Sequence, residues 1–243
     1  MRRLMLSLAA VGLVASVIAV PSASAQQSVN FFLGGFVPTS ADSRGDVSNG
    51  VSNDVLVNDQ NFLAFRINRF QGATFGGEYL VGVGNFLEAG ASIGYYQHTV
   101  PAFDINYTDQ NGNDVVSNLK LRIVPMTATF RVLPLGHDSP IVPYVGAGVG
   151  IYAWRYSEFG QFVDYTPPVP ANPAIFNGTF VGSGVSVGPV VLGGVRFPIG
   201  PFAPGFEVRW QGGKGDLPND QSFSGTKIDL GGMNYLFTFN VRF

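Results

Sequence analysis

The sequence predicts an all-β protein, an eight-stranded antiparallel up-and-down transmembrane β-barrel. Three observations carry this reading. Apolar and polar residues alternate with period two over segments of about ten residues. Long polar connections alternate with tight ones along the chain. Charged residues make up 12% of the 243 residues, against about 25% in ordinary globular domains, yet after residue 25 no stretch reaches the roughly 18 continuous apolar residues that a spanning helix needs. A secreted β-sandwich would alternate similarly along any one strand. The loop asymmetry, strands longer than the usual 5 to 6 residues or so, and the aromatic Phe243 on the apolar face favour the barrel.

The chain opens with Arg2 and Arg3, an apolar run from Leu4 to Val20, and then Pro21 and Ala23-Ser24-Ala25. This is the pattern of a secretory signal peptide over 1–25, which leaves a barrel domain over 26–243. Its removal takes away two Arg and no acid, so the mature chain has 12 basic and 16 acidic residues. Strands are expected near 29–38 and 72–84. The next shows Leu87, Ala89, Ala91 and Ile93 against Glu88, Gly90, Ser92 and Gly94. In 119–133, Leu119, Leu121 and Ile123 share a face with Thr127, Thr129 and Arg131. That switch in polarity suggests a bulge near Val124-Pro125, where Pro is tolerated.

Further on, Val145, Ala147, Val149 and Ile151 interleave with glycines 146, 148 and 150. Val185, Val187, Val191, Val195 and Phe197 alternate with Ser186, Gly188, Gly194 and Arg196. Phe206, Val208 and Trp210 alternate with Glu207, Arg209 and Gln211. The last strand carries Met233, Tyr235, Phe237, Phe239, Val241 and Phe243 on one face and Asn234, Leu236, Thr238, Asn240 and Arg242 on the other. Long connections fall at about 39–71, 99–117, 158–183 and 213–226, and tight ones at 85–86, 134–140 and 198–203. Long loops at one end and short turns at the other describe an outer-membrane barrel.

Charges sort on this map. The four long connections hold Asp42, Asp46, Asp54, Asp59, Asp104, Asp109, Asp114, Glu158, Asp164, Asp216 and Asp220 against Arg44, Arg66, Arg69 and Lys214. The outer end therefore reads as acidic. The inward faces are expected to carry Glu78, Glu88 and Glu207 with Lys120, Arg122, Arg131, Arg196, Arg209 and Arg242. Eight strands enclose room only for side chains, so these charges must pair or bind water. A structural salt-bridge network is the first reading, and a proton or solute path the second.

Apparent chemical motifs have plainer explanations. Gly184-Val185-Ser186-Val187-Gly188 matches the G-x-S-x-G pattern, but alternation runs through Ser186 with no following helix to form a nucleophile elbow. Glycines 146, 148 and 150 imitate a dinucleotide loop without the helix N-terminus that would hold a pyrophosphate, and packing beside bulky lumen residues explains them. Asp109, Asn111, Asn113 and Asp114 offer oxygen ligands for a weak cation site, although Asn111-Gly112 is also a hairpin tip. His98 and His137, the only histidines, fall at opposite rims. With no cysteine there is no disulfide or thiolate metal site, and with no Lys/Arg cluster beyond residue 3 there is no footprint for nucleic acid. No cofactor is implied.

The stretch Pro143-Tyr144-Val145-Gly146-Ala147-Gly148-Val149-Gly150-Ile151-Tyr152 resembles the PYVGAGxG strand of small outer-membrane barrels of the OmpW and OmpA/OmpX-like superfamily. The ending from Phe237 to Phe243 resembles that group's terminal strand, whose aromatic-x-aromatic pattern and final Phe are read by the barrel-assembly machinery. The resemblance implies an outer-membrane protein with both termini periplasmic. Its surroundings would be outer-membrane lipid and lipopolysaccharide, and Tyr235, Phe237, Phe239, Val241 and Phe243 would be its assembly signal. The expected role is non-enzymatic: envelope structure or surface interaction through long acidic extracellular loops, with cations or surface ligands as partners. Passage of small apolar molecules through the barrel wall is the alternative, and requires an apolar upper lumen. A lipid-modifying enzyme would require a Ser and an acid beside His98.

Overall fold

The computed structural model describes residues 26–44, 47–48, 51–166 and 173–243. The signal peptide expected at 1–25 and the loop residue Asp46 lie outside the described residues. Eight long strands form one closed sheet: β1 (Gln27–Pro38), β2 (Gly72–Val83), β3 (Leu87–Thr108), β4 (Asp114–Val132), β5 (Val142–Val163), β6 (Ile175–Arg196), β7 (Phe202–Gln211) and β8 (Gly232–Arg242). Each pairs antiparallel with its neighbours in sequence. β1 pairs with β8 from Ser28 opposite Arg242 to Pro38 opposite Gly232, which leaves the ring without a free edge.

Facing alternates regularly through the apolar belt, and the register of β3 with β4 shifts only above Phe103. Phe31 and Leu33 on β1, Phe130 on β4, Val149 on β5, Val187 on β6, Phe206 on β7 and Phe237 on β8 are exposed on the outer wall. An exposed apolar wall of this extent has a physical reason only in lipid. The short connections 84–86, 133–141 and 197–201 lie at the end that also holds the start of β1 and the end of β8. Gly84 and Gly200 adopt positive φ there, at 70° and 61°, which tight reversals demand and glycine permits.

Two sequence expectations are corrected. The connections expected at 99–117 and 158–183 are largely strand: β3 continues to Thr108, β4 starts at Asp114, β5 continues to Val163 and β6 starts at Ile175. There is also no bulge at Val124-Pro125. β4 keeps one register with β5, from Ser117 opposite Gly160 to Val132 opposite Val145, and its odd residues face inward throughout. What changes at Pro125 is the chemistry of the two sides. Below it, Met126 and Phe130 face out while Thr127, Thr129 and Arg131 face in. Above it, Lys120 and Arg122 face out while Leu119, Leu121 and Ile123 are buried inside. Beyond the lipid the wall meets water, so the barrel takes the ordinary globular arrangement with its apolar side inward.

That inward side is one apolar core. Phe36, Tyr96, Leu119, Leu121, Ile123, Trp154 and Tyr156 from the wall pack with Val55, Leu56, Ile67 and Phe70 from the first connection. The latter lie on a short helix, α1 (Val55–Asp59), and a 3-10 turn, Ile67–Phe70. Asp54 caps α1, its carboxylate accepting from Leu56 N at 3.1 Å and Val57 N at 3.3 Å. The same carboxylate pairs with Arg44 Nε at 3.0 Å and accepts from Asp229 N at 2.7 Å. Arg44 in turn donates to the Asp229 carbonyl at 2.7 Å. One buried ion pair thus locks the first connection to the last.

Candidate functional site

Two features could carry function, a charge layer in the lower lumen and a cleft at the mouth. In the lower layer β2 presents Glu78, β3 Glu88, β4 Arg131, β6 Arg196, and β7 both Glu207 and Arg209. Period-two facing brings these six side chains to one level. Arg131 Nη2 lies 2.6 Å from both oxygens of Glu78 and 3.0 Å from Glu207 Oε2. Its Nη1 lies 3.8 Å from Glu88. Arg196 grips Glu88 with both terminal nitrogens, at 2.7 and 3.1 Å. Arg209 Nη2 lies 2.7 Å from Glu207 and 3.6 Å from Glu78. Tyr144 donates to Glu207 at 3.0 Å, and its ring lies 4.8 Å from each of the Arg131 and Arg196 guanidinium carbons.

Three carboxylates meet three guanidinium groups, so the layer is neutral within itself. Bidentate, charge-assisted pairs of this kind are the strong ones. Glycines give it room: a Cβ at Gly90 would sit 2.8 Å from Leu80 Cδ2 and 3.1 Å from Glu78 Oε1, and one at Gly146 would sit 2.9 Å from Arg131 Cγ. The layer and the apolar core above it fill the lumen at two successive levels.

Three residues expected in this layer stand elsewhere. Lys120 and Arg122 face outward on β4, because the expected bulge that would have turned them inward does not exist. Arg242 lies at the lower rim, where it donates to the Gly200 carbonyl at 2.9 Å. On the terminal strand, Tyr235, Phe237, Phe239 and Phe243 are exposed on the outer wall, with Val241 half-buried beside them.

The mouth cleft has a volume of about 500 Å³. Phe62, Phe162, Phe176 and Phe180 give it aromatic walls, while Asp59, Asp104 and Glu158 give it acid. Asp59 accepts from Ser224 Oγ at 2.6 Å and from Tyr156 Oη at 3.2 Å. Burial pushes its carboxyl up from 3.8 to about 6, those two hydrogen bonds opposing the shift and the charge of Asp54 adding to it. Tyr165 Oη donates to Asp104 at 2.9 Å. Sequence reasoning placed Asp54 and Asp59 on the acidic exterior, whereas both are buried. The signal for this was Asp54 directly before Val55-Leu56-Val57, a helix N-cap followed by apolar residues.

Other candidate residues have local partners. Asp109 Oδ1 accepts from the backbone of Asn111 and Asn113 at 2.8 and 2.7 Å, and Oδ2 accepts from the Asn113 amide at 2.9 Å. These bonds, the Asn113 amide first, hold the Asp109 carboxyl below the usual range. Among the described residues no group of three or more His, Cys, Asp or Glu is placed to hold a metal ion. Ser186 accepts from Trp154 Nε1 at 3.0 Å. Neither His98 nor His137 hydrogen-bonds a serine among the described residues, and His98 lies against Gly72.

No protein-family model matches the sequence, nor does any curated protein. Solved structures do. The outer membrane protein OprG of Pseudomonas aeruginosa superposes over 90% of this chain and 95% of its own, with a TM-score of 0.52 at 12% identity. The fold is that of the small outer-membrane β-barrels. Neisserial surface protein A (11% identity, 90% and 99% of the two chains, TM-score 0.43) and the Escherichia coli outer membrane protein W (14%, 88% and 97%, 0.38) are also matched. At these identities the likeness concerns architecture. This chain has the fold and the lipid-facing wall of an integral outer-membrane barrel.

Proposed function

We propose that this barrel is a non-enzymatic surface-interaction protein, closed to solutes, with both termini periplasmic and its tall hairpins outside the cell. The observation that carries the reading is the contrast along β3 to β6. These strands continue well above the apolar belt, while the lumen beneath them is filled, first by the neutral charge layer and then by the core built around α1. A closed lumen suits presentation at the surface, and the aromatic, acidic mouth cleft suits a small ligand or partner loop arriving from outside. The exposed aromatic face of β8 ending in Phe243 supports recognition by the assembly machinery.

The test pairs two measurements on one protein. Purified barrel in a planar bilayer is expected to give no steady porin-like conductance. An epitope inserted at the 109–113 tip is expected to be labelled on intact cells. A large, lasting conductance, or a tag reached only after the outer membrane is broken, would refute the proposal. The apolar upper lumen favours a second reading, passage of small apolar molecules. It requires Leu56 and Phe70 to leave the lumen, so a disulfide tethering α1 to the wall would abolish uptake if that reading were right.

A further inference from the structure

We propose that the outer wall of β3, β4 and β5 carries a site for the phosphorylated headgroup of the outer-leaflet glycolipid, formed by Lys120, Arg122 and Arg155. Arg122 stands directly opposite Arg155 across β4 and β5, and Lys120 directly opposite Ser157. Across β3 and β4, Gln97 faces Arg122 and Thr99 faces Lys120. Directly opposed side chains on neighbouring strands approach to about 5 Å, and like charges in that relation are unfavourable. Among the described residues none of these three cations makes an ion pair or hydrogen bond. The outward residues of β4 above them, Asn118 and Val116, bring no acid before Asp114. The protein thus concentrates three positive charges that it leaves unneutralised.

Their height selects the ligand. The outward residues just below are Ile93 and Tyr95 on β3, Met126 and Val124 on β4, and Ile151 and Ala153 on β5, which belong to the belt and its aromatic rim. Tyr95 donates to Gln97 at 3.0 Å, so Gln97 is the first polar outward residue above the belt on β3. Two residues along a strand span about 7 Å, which puts the cations at headgroup level. With Gln97, Ser157 and Phe159 they line a groove of about 360 Å³ that opens sideways toward the bilayer, away from the mouth cleft. Guanidinium and ammonium groups meet phosphate oxygens, and the amide and hydroxyl can bond sugar hydroxyls. A lipid anchored in the same leaflet reaches this groove without leaving the membrane, which a soluble anion does not.

The inference rests on the orientation proposed above, which the epitope experiment tests separately. The probe here is bisphosphorylated lipid A, added to the full-length barrel and read by native mass spectrometry. The variant carries Lys120→Gln, Arg122→Gln and Arg155→Gln together. At about fivefold per surface cation, retention should fall about a hundredfold while heat-modifiable folding is unchanged. Arg66→Gln with Arg69→Gln, cations of the first connection, should leave retention intact. Equal retention by the triple variant, an equal loss in the control, or undiminished binding of dephosphorylated lipid A would overturn the site. Displacement by phosphatidylglycerol or inorganic phosphate at equal concentration would overturn its assignment to the glycolipid.

Discussion

Removing Arg131 is the sharpest test of the sealed lumen. Its guanidinium is the only cation within hydrogen-bond distance of Glu78 among the described residues. In Arg131→Met, Glu207 would still hold Arg209 at 2.7 Å and Glu88 would still hold Arg196 at 2.7 Å. Glu78 would keep only the Asn30 amide at 3.2 Å and Arg209 at 3.6 Å. The layer would pass from three charges of each sign to three carboxylates and two cations, around a Glu78 side chain with 0% exposure. Breaking a buried pair in this way costs about 3 to 5 kcal/mol, and Met fills most of the vacated length, so little of that is cavity. The assay is urea unfolding in lipid vesicles, followed by loss of heat-modifiable mobility. Adding Glu78→Gln removes one charge of the other sign and should recover at least about 2 kcal/mol. A single variant within about 1 kcal/mol of the parent, or a double variant no more stable than the single, would show that Glu78 and Arg131 are not the buried partners described.

Phe237, 64% exposed and paired with Phe206 at 4.6 Å between ring centroids, faces lipid, so Phe237→Arg should cost about 2 to 4 kcal/mol in the same assay; an insignificant loss would contradict the outward facing of β8. Deleting Phe243 should leave barrel protein in the periplasm, and a normal yield of heat-modifiable barrel in the membrane would refute its part in assembly. Asp59 has a raised carboxyl value in the folded state, so the fold holds its proton more tightly than the unfolded chain does. Closure of α1 over the mouth should therefore be firmest below about pH 4, weaken between about 4 and 6, and stay level above. Asp59→Asn should remove up to about 3 kcal/mol of that dependence, read as hydrogen exchange of α1 amides at pH 4 and 7; the same pH dependence in the variant would refute the assignment.

Much of the barrel was legible because period-two alternation is a local property. β8 shows its two faces in consecutive letters, and parity alone placed Glu78, Glu88, Arg196, Glu207 and Arg209 on one side of their strands, whereas Arg131 was expected beside them only by way of the bulge that β4 does not have. Which carboxylate meets which guanidinium was not legible. The contact of Glu78 with Arg131 spans 53 positions and depends on the shear of a closed sheet. The insertion of α1 was also hidden, since the loop from 39 to 71 looks polar overall and its apolar residues, Val55, Leu56, Ile67 and Phe70 among them, follow no period-two pattern.

The misplacement of Lys120 and Arg122 has a more general cause. Alternation says that the two sides of a strand differ, and says nothing about which side is wet. In the membrane the apolar side faces out, and above it the apolar side faces in, so one unbroken strand must exchange its polarity where it leaves the lipid. β4 does this at Val124-Pro125. Read as a bulge, the exchange keeps Lys120 and Arg122 inside and shortens the strand. Read as an interface, it keeps the register, extends the hairpins and turns both cations outward at headgroup level. β5 decides between the two with no Pro at the exchange: Val149 and Ile151 face out below, while Trp154 and Tyr156 face in above and Arg155 faces out between them. A coincident exchange on two neighbouring strands, at positions that pair with each other, marks the upper surface of the membrane.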